Sequence, residues 1–311
     1  MTTTQSPSRA EISSAVLEEY EAGSSNRDPF RVRCEAFRLL HERGTFVIPN
    51  PWDVGSARYL QHLGFLALAT TSAGFAFSQG LPDSEGAVSL DRCLAHLAEI
   101  AAAVDVPVNA DFASAYATDP SDVADNVTRC VETGVAGLSV EDGTGDQASP
   151  LYELSFAVER IQAAREAIDR SGSGVLLTAR AECYHVGHPD PFRESLRRLQ
   201  AYAQAGADVL FAPGPQKPDE IKALVEAVAP KPFNLLVVRD LGLGVTDIAE
   251  LGVRRISVGG ALALAGWTGF MRAAQNLRTG GSFSGFADLV PYPEINQLFA
   301  ADLNSRETRQ I

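Results

Sequence analysis

The sequence predicts an α/β fold of the (β/α)8 TIM-barrel type, with an extra N-terminal segment and C-terminal helices. Four times a helical pattern ends in a glycine and an apolar run follows almost at once; these glycines are Gly64, Gly134, Gly206 and Gly252. A glycine just past a helix can take the left-handed conformation that closes the last turn. A buried parallel strand reads as a short run of β-branched and other apolar residues. Because this unit repeats along most of the chain, a closed barrel is expected.

Composition narrows the class of protein. A chain of 311 residues with 45% hydrophobic residues can bury one large core, and a single barrel typically takes about 250 residues. The net charge of -13 argues against nucleic acid and anionic membranes as partners. It does not exclude an anionic substrate, because a local cation overrides the global field.

Three features that are missing from the sequence predict the cellular compartment. The four cysteines are scattered without metal-type spacing. The N-terminus has neither the basic nor the apolar region of a signal peptide, and no apolar run reaches the roughly 18 residues of a membrane span. We therefore expect a cytoplasmic protein.

Three segments are predicted in order along the chain. Residues 1–28 form a polar tail with one short helix around AVLEEYEA, residues 29–277 form the barrel, and residues 278–311 form a C-terminal helical extension. Segments with helical period separate the apolar runs, and Asp190 followed by a proline is a typical helix start. The eight runs predicted as strands are 45–50, 65–72, 106–112, 137–143, 175–182, 208–214, 232–238 and 255–261.

Polar side chains stand at the ends of several predicted strands. Thr71 and Ser72 end the second run, and Asp111, Glu141 and Arg180 end the third, fourth and fifth. Further polar residues near these ends are Asp83, Glu85, Asn109, Glu182 and Asn234. Because the carboxyl ends of barrel strands meet at one mouth, these side chains are expected to converge there.

Their chemistry predicts a cation site. Several carboxylates in one cavity cannot all stay ionised unless a cation neutralises them, and Mg²⁺, or Mn²⁺, prefers such oxygen ligands. Arg180 would then hold a substrate carboxylate or phosphate through two parallel hydrogen bonds. Thr71 and Ser72 offer hydroxyl and backbone donors to another anionic group.

Some of these side chains have structural alternatives. Asn109 either takes a ligand role or bonds only to backbone, and Glu182 either shares the mouth or serves only as a salt-bridge partner. A loop histidine such as His185 is more often solvated than catalytic, and Tyr184 is similar. Cys183 has no paired base and is predicted to be a small buried apolar residue.

The order of motifs TTSAG…QGLPD, NAD, VED, ARAE and GADVLFAPG resembles the isocitrate lyase/phosphoenolpyruvate mutase superfamily, from about Phe37 to about Leu277. Members are Mg²⁺-dependent (β/α)8 barrels that cleave or form a C–C or P–C bond next to a 2-oxo acid. They work through an enolate or oxyanion held on the metal. The resemblance implies that Asp83, Asp111 and Glu141 hold the ion, partly through water.

The same resemblance assigns the substrate contacts. It implies that Thr71, Ser72 and Ala73 hold a carboxylate with backbone donors, and that Arg180 contacts the substrate. Two positions depart from the family pattern. The usual Asp-x-Asp of the third strand is Asn109-Ala110-Asp111 here, and the loop after Glu141 reads GTGDQASPLYEL, without the cysteine and lysine of the lyase branch. The lysine- and asparagine-bearing loop of the mutase branch is also missing.

These observations predict a Mg²⁺-dependent lyase that cleaves or forms a C–C bond in a small 2-oxo or 2-hydroxy di- or tricarboxylate. Arg180, Asn109 and Asn234 are expected to contact this substrate, and Glu182, Tyr184 and His185 are the candidates for proton transfer. One alternative is a P–C bond enzyme of the phosphonomutase or phosphonopyruvate hydrolase type. Another is a ligand-binding barrel without catalysis.

Self-association is also expected. The stretch 286–303 (FADLVPYPEINQLFAADL) is too apolar for a free tail, which predicts a homodimer or homotetramer. The family resemblance implies exchange of a C-terminal helix between neighbouring subunits.

Overall fold

The computed structural model describes residues 28–309, with side chains through residue 306. The predicted polar tail and its short helix around AVLEEYEA therefore lie outside the described residues, apart from Asp28. This residue caps the first helix, because its carboxylate accepts a hydrogen bond of 3.0 Å from the Phe30 amide.

Eight parallel strands form one sheet in the order β1-β8-β7-β6-β5-β4-β3-β2 within the described residues. The sheet is nearly closed, and at its seam the Ala69 amide donates to the Pro49 carbonyl at 3.0 Å. This architecture confirms the predicted (β/α)8 barrel. The strands are β1 Phe46–Ile48, β2 Leu68–Ala69, β3 Val108–Asp111, β4 Gly137–Glu141, β5 Leu176–Arg180, β6 Val209–Phe211, β7 Phe233–Leu236 and β8 Arg255–Ser257.

Helices connect consecutive strands. The four glycines that predicted the repeated unit all have positive φ, from 82° at Gly64 to 103° at Gly206, as the helix-to-strand turns require. Asp190 caps its helix by accepting from the Arg193 amide at 3.3 Å. The helices up to β8 are α1 Pro29–Glu42, α2 Val54–His62, α3 Ser72–Ser78, α4 Leu90–Ala103, α5 Pro120–Glu132, α6 Leu154–Ser171, α7 Pro191–Gln204, α8 Pro218–Val228 and α9 Val245–Glu250.

Helix α3 differs from the sequence-based expectation. The predicted strand 65–72 extends beyond β2, which ends at Ala69. The chain turns there because the Thr71 hydroxyl accepts from the Gly74 amide at 3.2 Å and caps α3. Ser72 therefore begins a helix instead of ending a strand.

The chain divides into two compact units, one up to Ala261 and one from Leu262 onward. The predicted boundary at 277/278 lies inside helix α10, Ala261–Gly280. The second unit continues with a 3-10 helix, Ser284–Phe286, and helix α11, Tyr292–Arg309. None of the described helices has the length and hydropathy needed to cross a membrane.

The loop between β3 and α5 is organised by one buried arginine. Arg160 of α6 is 1% exposed, and its guanidinium donates to the carbonyls of Ser114, Ala117, Thr118 and Glu141. Three loop residues with side chains have left-handed φ angles of 47°, 60° and 54°; they are Ala113, Ala115 and Tyr116. Such conformations cost about 1 kcal/mol or more each, so Arg160 stabilises a strained loop beside the mouth.

We predict that Arg160→Met lowers the free energy of unfolding by about 3 kcal/mol, because several buried carbonyls lose their donor. Urea denaturation measures this change. Arg170→Met on the same helix is the matched control. Arg170 is largely exposed and 3.8 Å from Glu166, and its loss should cost less than about 0.5 kcal/mol. Equal effects of the two substitutions would contradict the assigned role of Arg160.

We also predict that His96 of α4 makes the fold sensitive to acid. Burial lowers the pKa of this imidazole to about 4, and the ring stacks 3.8 Å from the Phe75 ring. Its unfolded pKa is about 6.5. The neutral buried ring therefore contributes its full stabilisation of the fold above pH 6.5, and this contribution is lost as the pH falls toward 4. When the pH is lowered from 7.5 to 5, the unfolding free energy of wild type should therefore fall by about 2 kcal/mol more than that of His96→Phe.

Urea denaturation at the two pH values is the measurement for His96. His62→Phe is its control, since His62 is exposed on α2 and should keep the wild-type pH dependence. Equal losses of unfolding free energy in His96→Phe and wild type between the two pH values would contradict the role assigned to His96.

Candidate active site

The carboxyl ends of the strands surround two connected spaces at one end of the barrel. The outer cavity has a volume of about 660 Å³ and reaches Glu85, Tyr116 and Gln147 on the surrounding loops. The inner cavity has a volume of about 190 Å³ and is lined by Asn109 and Asn234, among others. Residues shared by both cavities are Thr70, Thr71, Ser72, Asp83, Asp111, Arg180 and His185.

Arg180, the last residue of β5, lies at the centre of the shared wall. Its Nη1 is 3.5 Å from an Asp111 carboxylate oxygen, its Nη2 is 3.5 Å from Glu141, and its Nε contacts Glu182. The guanidinium carbon also lies 5.2 Å from the centre of the Phe211 ring. The barrel thus brings together four residues predicted from the sequence to share the mouth.

The cluster carries more negative than positive charge. Burial raises the pKa of Glu141 well above its ordinary value, Arg180 opposes this rise, and Glu182 and Asp111 add to it. Burial and the charge of Asp111 likewise raise the pKa of Asp83. Burial by itself would lower the pKa of Arg180, but Glu141, Glu182 and Asp111 raise it overall. One guanidinium therefore only partly neutralises the surrounding carboxylates.

The donors at the start of α3 are directed at Asp111. The Ser72 amide and hydroxyl both donate to the same Asp111 oxygen at 2.9 Å, and the Asp111 amide donates to the Thr70 hydroxyl. The Thr71 hydroxyl is used in the helix cap, while Ala73 lines the inner cavity. In this structure the predicted carboxylate-binding donors of Ser72 therefore hold a protein carboxylate in place.

The two predicted substrate-binding amides lie deeper, in the inner cavity. Asn109 is 4% exposed, and its Nδ2 donates to the Ala110 carbonyl. Asn234 is 1% exposed, and its Nδ2 donates to the Ser257 hydroxyl at 2.9 Å. The oxygen atoms of both amides accept hydrogen bonds from Arg255, so neither amide is directed at the carboxylate cluster.

Glu182 is fixed by a buried network. Its amide donates to Asp142 at 2.8 Å, and the other Asp142 oxygen accepts from Arg198 and from the Tyr202 hydroxyl. All four residues are at most 5% exposed. Burial raises the pKa of Asp142, although Arg198 and Tyr202 oppose this effect. The network fixes the backbone that directs the Glu182 side chain toward Arg180.

The remaining proton-transfer candidates lie in different surroundings. His185 is exposed and lines both cavities. The Tyr184 hydroxyl donates to Glu220 of α8 at 3.2 Å, and Tyr184 lines neither cavity. Cys183 is fully buried, and burial raises the pKa of its thiol to about 11. The structure thus brings His185 to the mouth and does not bring Tyr184 there.

The loop after Glu141 folds back on itself beside the cluster. Gly143 and Leu151 form an isolated antiparallel bridge, and the Thr144 amide donates to the Pro150 carbonyl at 3.0 Å. The loop lines the outer cavity with Gly145, Gln147 and other residues that carry neither thiol nor amine. It closes one side of the cavity without contributing a nucleophile.

Sequence reasoning gave no role to Asn50 or Arg255, and it gave Asp142 only a place at the end of the fourth run. Asn50 bridges strand ends by donating to the Thr70 carbonyl and accepting from the Val258 and Gly259 amides. Asp142 anchors Glu182, and Arg255 occupies the floor of the inner cavity. A charged residue within the eighth apolar run was a signal for Arg255, whereas nothing in the sequence pairs Asp142 with Arg198, 56 residues away.

The donor set is suited in chemistry to a hard divalent cation. The side chains are carboxylates, and burial first, then the neighbouring acids, raises the pKa values of Asp83 and Glu141, although Arg180 opposes the rise. Among the side chains of residues 28–306, however, no three of the His, Cys, Asp or Glu type are close enough together to hold a metal ion as they stand. The reason is geometric, because the Arg180 guanidinium lies between Asp111 and Glu141.

Known proteins are similar to this chain in sequence and in fold. The model of the phosphoenolpyruvate phosphomutase family matches residues 37–278. An uncharacterized protein of Mycobacterium tuberculosis strain H37Rv is 32% identical over 261 residues, which are 84% of this chain and 94% of that protein. A crystal structure of a candidate lyase/mutase from Burkholderia cenocepacia J2315 is 45% identical, with a TM-score of 0.84, over 88% of this chain and 98% of the other.

A solved lyase is also similar. The structure of 2,3-dimethylmalate lyase, a member of the PEP mutase/isocitrate lyase superfamily, has a TM-score of 0.78 and 25% identity over 89% of this chain and 98% of the other. The family model covers most of the barrel, and each of these three relatives is matched over 94% to 98% of its own length. The chain therefore belongs to the phosphoenolpyruvate phosphomutase family, within the PEP mutase/isocitrate lyase superfamily.

Proposed function

We propose that this protein is a divalent-metal-dependent lyase that cleaves or forms a C–C bond in a small 2-oxo or 2-hydroxy di- or tricarboxylate. The observation that carries this proposal is the Arg180 cluster, in which one guanidinium and the carboxylates of Asp111, Glu141 and Glu182 meet at the strand ends. In enzymes with this barrel, the catalytic residues lie at the carboxyl ends of the strands. The likeness to 2,3-dimethylmalate lyase, whose name denotes a 2-hydroxy dicarboxylate, supports the substrate class.

The proposed metal is Mg²⁺ or Mn²⁺, with Asp83, Asp111 and Glu141 as its holders. A bound divalent cation supplies Lewis-acid stabilisation of negative charge on a substrate oxygen. The excess of carboxylates over guanidinium groups supports this assignment, because a second cation would stabilise the ionised forms of Asp83 and Glu141, whose pKa values are raised mainly by burial and further by neighbouring acids.

Arg180 is proposed to orient the substrate. A guanidinium presents a planar fork of donors that matches a carboxylate. Glu182 is held against this fork by the Asp142 network, and His185 is exposed at the rim. These two residues are the proposed proton-transfer groups. Tyr184 is no longer favoured, since its hydroxyl is bonded to Glu220.

Cysteine chemistry is not part of the proposal. All four cysteines, at 34, 93, 130 and 183, are buried free thiols, and burial raises the thiol pKa of each. A thiol is a poor nucleophile or base when it stays protonated.

Phosphonate chemistry is the alternative, and the matching family model favours it. The two reactions are separated by incubating the protein with Mg²⁺ and a panel of acids, followed by mass spectrometry of the products. The panel contains 2,3-dimethylmalate and other 2-hydroxy and 2-oxo diacids and triacids, together with phosphonopyruvate. Cleavage of a diacid or triacid supports the proposal, and turnover of phosphonopyruvate alone supports the alternative. Ligand binding without any turnover would favour a non-catalytic barrel.

We predict that Asp111→Asn lowers metal affinity and metal-dependent turnover by about 100-fold, at the upper end of effects for groups around a bound metal. The substituted amide can still accept from Ser72, so the fold is retained while one negative charge is lost. Calorimetric titration with Mg²⁺ or Mn²⁺ measures the affinity. Asp146→Asn is the control, because Asp146 is exposed on the rim of the same cavity. Full turnover in excess EDTA would refute the metal requirement.

We further propose that the chain forms homodimers or homotetramers, and that it acts in the cytoplasm. The second unit exposes several large apolar side chains, which a monomer would leave in water. They include Leu264, Phe270, Met271, Phe283, Leu289, Val290 and Tyr292. Light scattering at micromolar concentration should give a mass of at least twice 33.1 kDa. A strictly monomeric mass would contradict this expectation.

A further inference from the structure

A buried arginine forms the floor of the inner cavity. Arg255, the first residue of β8, is 3% exposed and lines this cavity. Its Nε donates to Asn234 Oδ1 at 2.8 Å and its Nη2 donates to the Thr178 hydroxyl at 3.1 Å. Its Nη1 lies 3.5 Å from both Asn109 Oδ1 and His41 Nε2. Four side chains from four different elements therefore hold the guanidinium in place.

All four of these partners are neutral. Asn109, Asn234 and Thr178 cannot ionise, and burial followed by the charge of Arg255 lowers the pKa of His41 to about 3. Within residues 28–306, no carboxylate oxygen lies within 4.0 Å of the Arg255 guanidinium. Burial lowers the pKa of Arg255 to about 9, and no neighbouring acid offsets this effect.

Other buried arginines of the chain are stabilised differently. Arg198 pairs with Asp142 at 3.0 Å, and Arg180 contacts three carboxylates. Arg160 has no acid but uses its donors on four backbone carbonyls. Arg255 alone among these four lacks both a carboxylate and a set of carbonyls, and it borders a cavity. A buried charge without a counter-charge is costly, so an anion beside Arg255 would offset this cost.

The inner cavity therefore has an arginine at each end, but only Arg255 has no carboxylate beside it. Arg180 lies at its upper end, next to Asp111 and Ser72, and Arg255 lies at its lower end, next to Asn109 and Asn234. The second hydrogen on Nη2 of Arg255 has no acceptor in the part of the chain that the structure describes. Both asparagines keep the floor positive, because an aspartate at either position would neutralise Arg255 from within the protein.

We propose that Arg255 is an anion-recognition residue that binds a second carboxylate of the substrate, at the end remote from Arg180. This assignment rests on the proposed function and names the residue that would select a diacid or triacid over a monoacid. No described carboxylate of the protein pairs with Arg255, so the substrate carboxylate supplies the counter-charge through a charge-assisted hydrogen bond in a buried space. A monoacid leaves the buried charge unpaired and binds less tightly.

The test compares two ligands that differ only in the second carboxylate. Malate and 2-hydroxybutyrate are titrated separately into the full-length protein in the presence of Mg²⁺, with calorimetry as the readout. Wild type should bind malate at least about tenfold more tightly, the size expected for a hydrogen bond to a charged group. Arg255→Gln should reduce this ratio to near one, and Arg180→Lys should weaken both ligands while keeping the ratio.

Asn234→Asp is a second variant that keeps Arg255 and its surroundings. The substituted carboxylate stands where the amide oxygen now accepts from Nε, so it pairs with Arg255 and should abolish the malate preference without loss of thermal stability. Ser257→Ala is the matched control in the same cavity. It removes a neutral partner of Asn234 and should keep the preference.

The possible outcomes separate this inference from the proposed function. If folded Arg255→Gln or Asn234→Asp protein still prefers malate as wild type does, Arg255 has a purely structural role and the inference is overturned. If the panel shows Mg²⁺-dependent turnover of a diacid while wild type has no malate preference, the proposed function stands and the inference alone fails. If wild type turns over no acid but prefers malate through Arg255, the anion site stands and the lyase assignment fails.

Discussion

Closure of eight parallel strands into one barrel is the constraint on which the described structure depends. Parallel strands all end at the same mouth, so Asp111, Glu141 and Arg180 meet although 69 positions separate the first from the last. Their charges must then balance in a space from which much of the water is excluded. Arg180 provides part of this balance, and the remaining negative charge is what supports the proposed cation site.

Inside the barrel, the balance of charge around Arg255 is the opposite of that around Arg180. Arg180 lies among more carboxylates than it can neutralise, whereas Arg255 lies among neutral acceptors only. A chain with a net charge of -13 can therefore present a positive surface to an anion, because the potential inside a cavity is set by the nearest groups. In the proposed role of Arg255, this arrangement of charge would orient an extended diacid along the inner cavity.

Groups outside the mouth fix its geometry. Arg160 holds the loop after β3 through four carbonyls, and the Asp142 network holds the backbone of Glu182. Both devices use buried charges whose donors or acceptors are satisfied, so they restrict the loops without leaving polar groups unpaired.

The sequence by itself determined the barrel, since the glycine-terminated helices and apolar runs repeat with the period of helix, turn and strand. It also identified Asp111, Glu141 and Arg180 as strand-end residues, because position along a strand fixes which end a residue occupies. Only the tertiary structure decided which partners these residues have. It bonded Tyr184 to Glu220, turned Ser72 toward Asp111, and left Arg255 without a carboxylate. These outcomes depend on side-chain directions and on contacts between distant elements, which local propensity and periodicity do not encode.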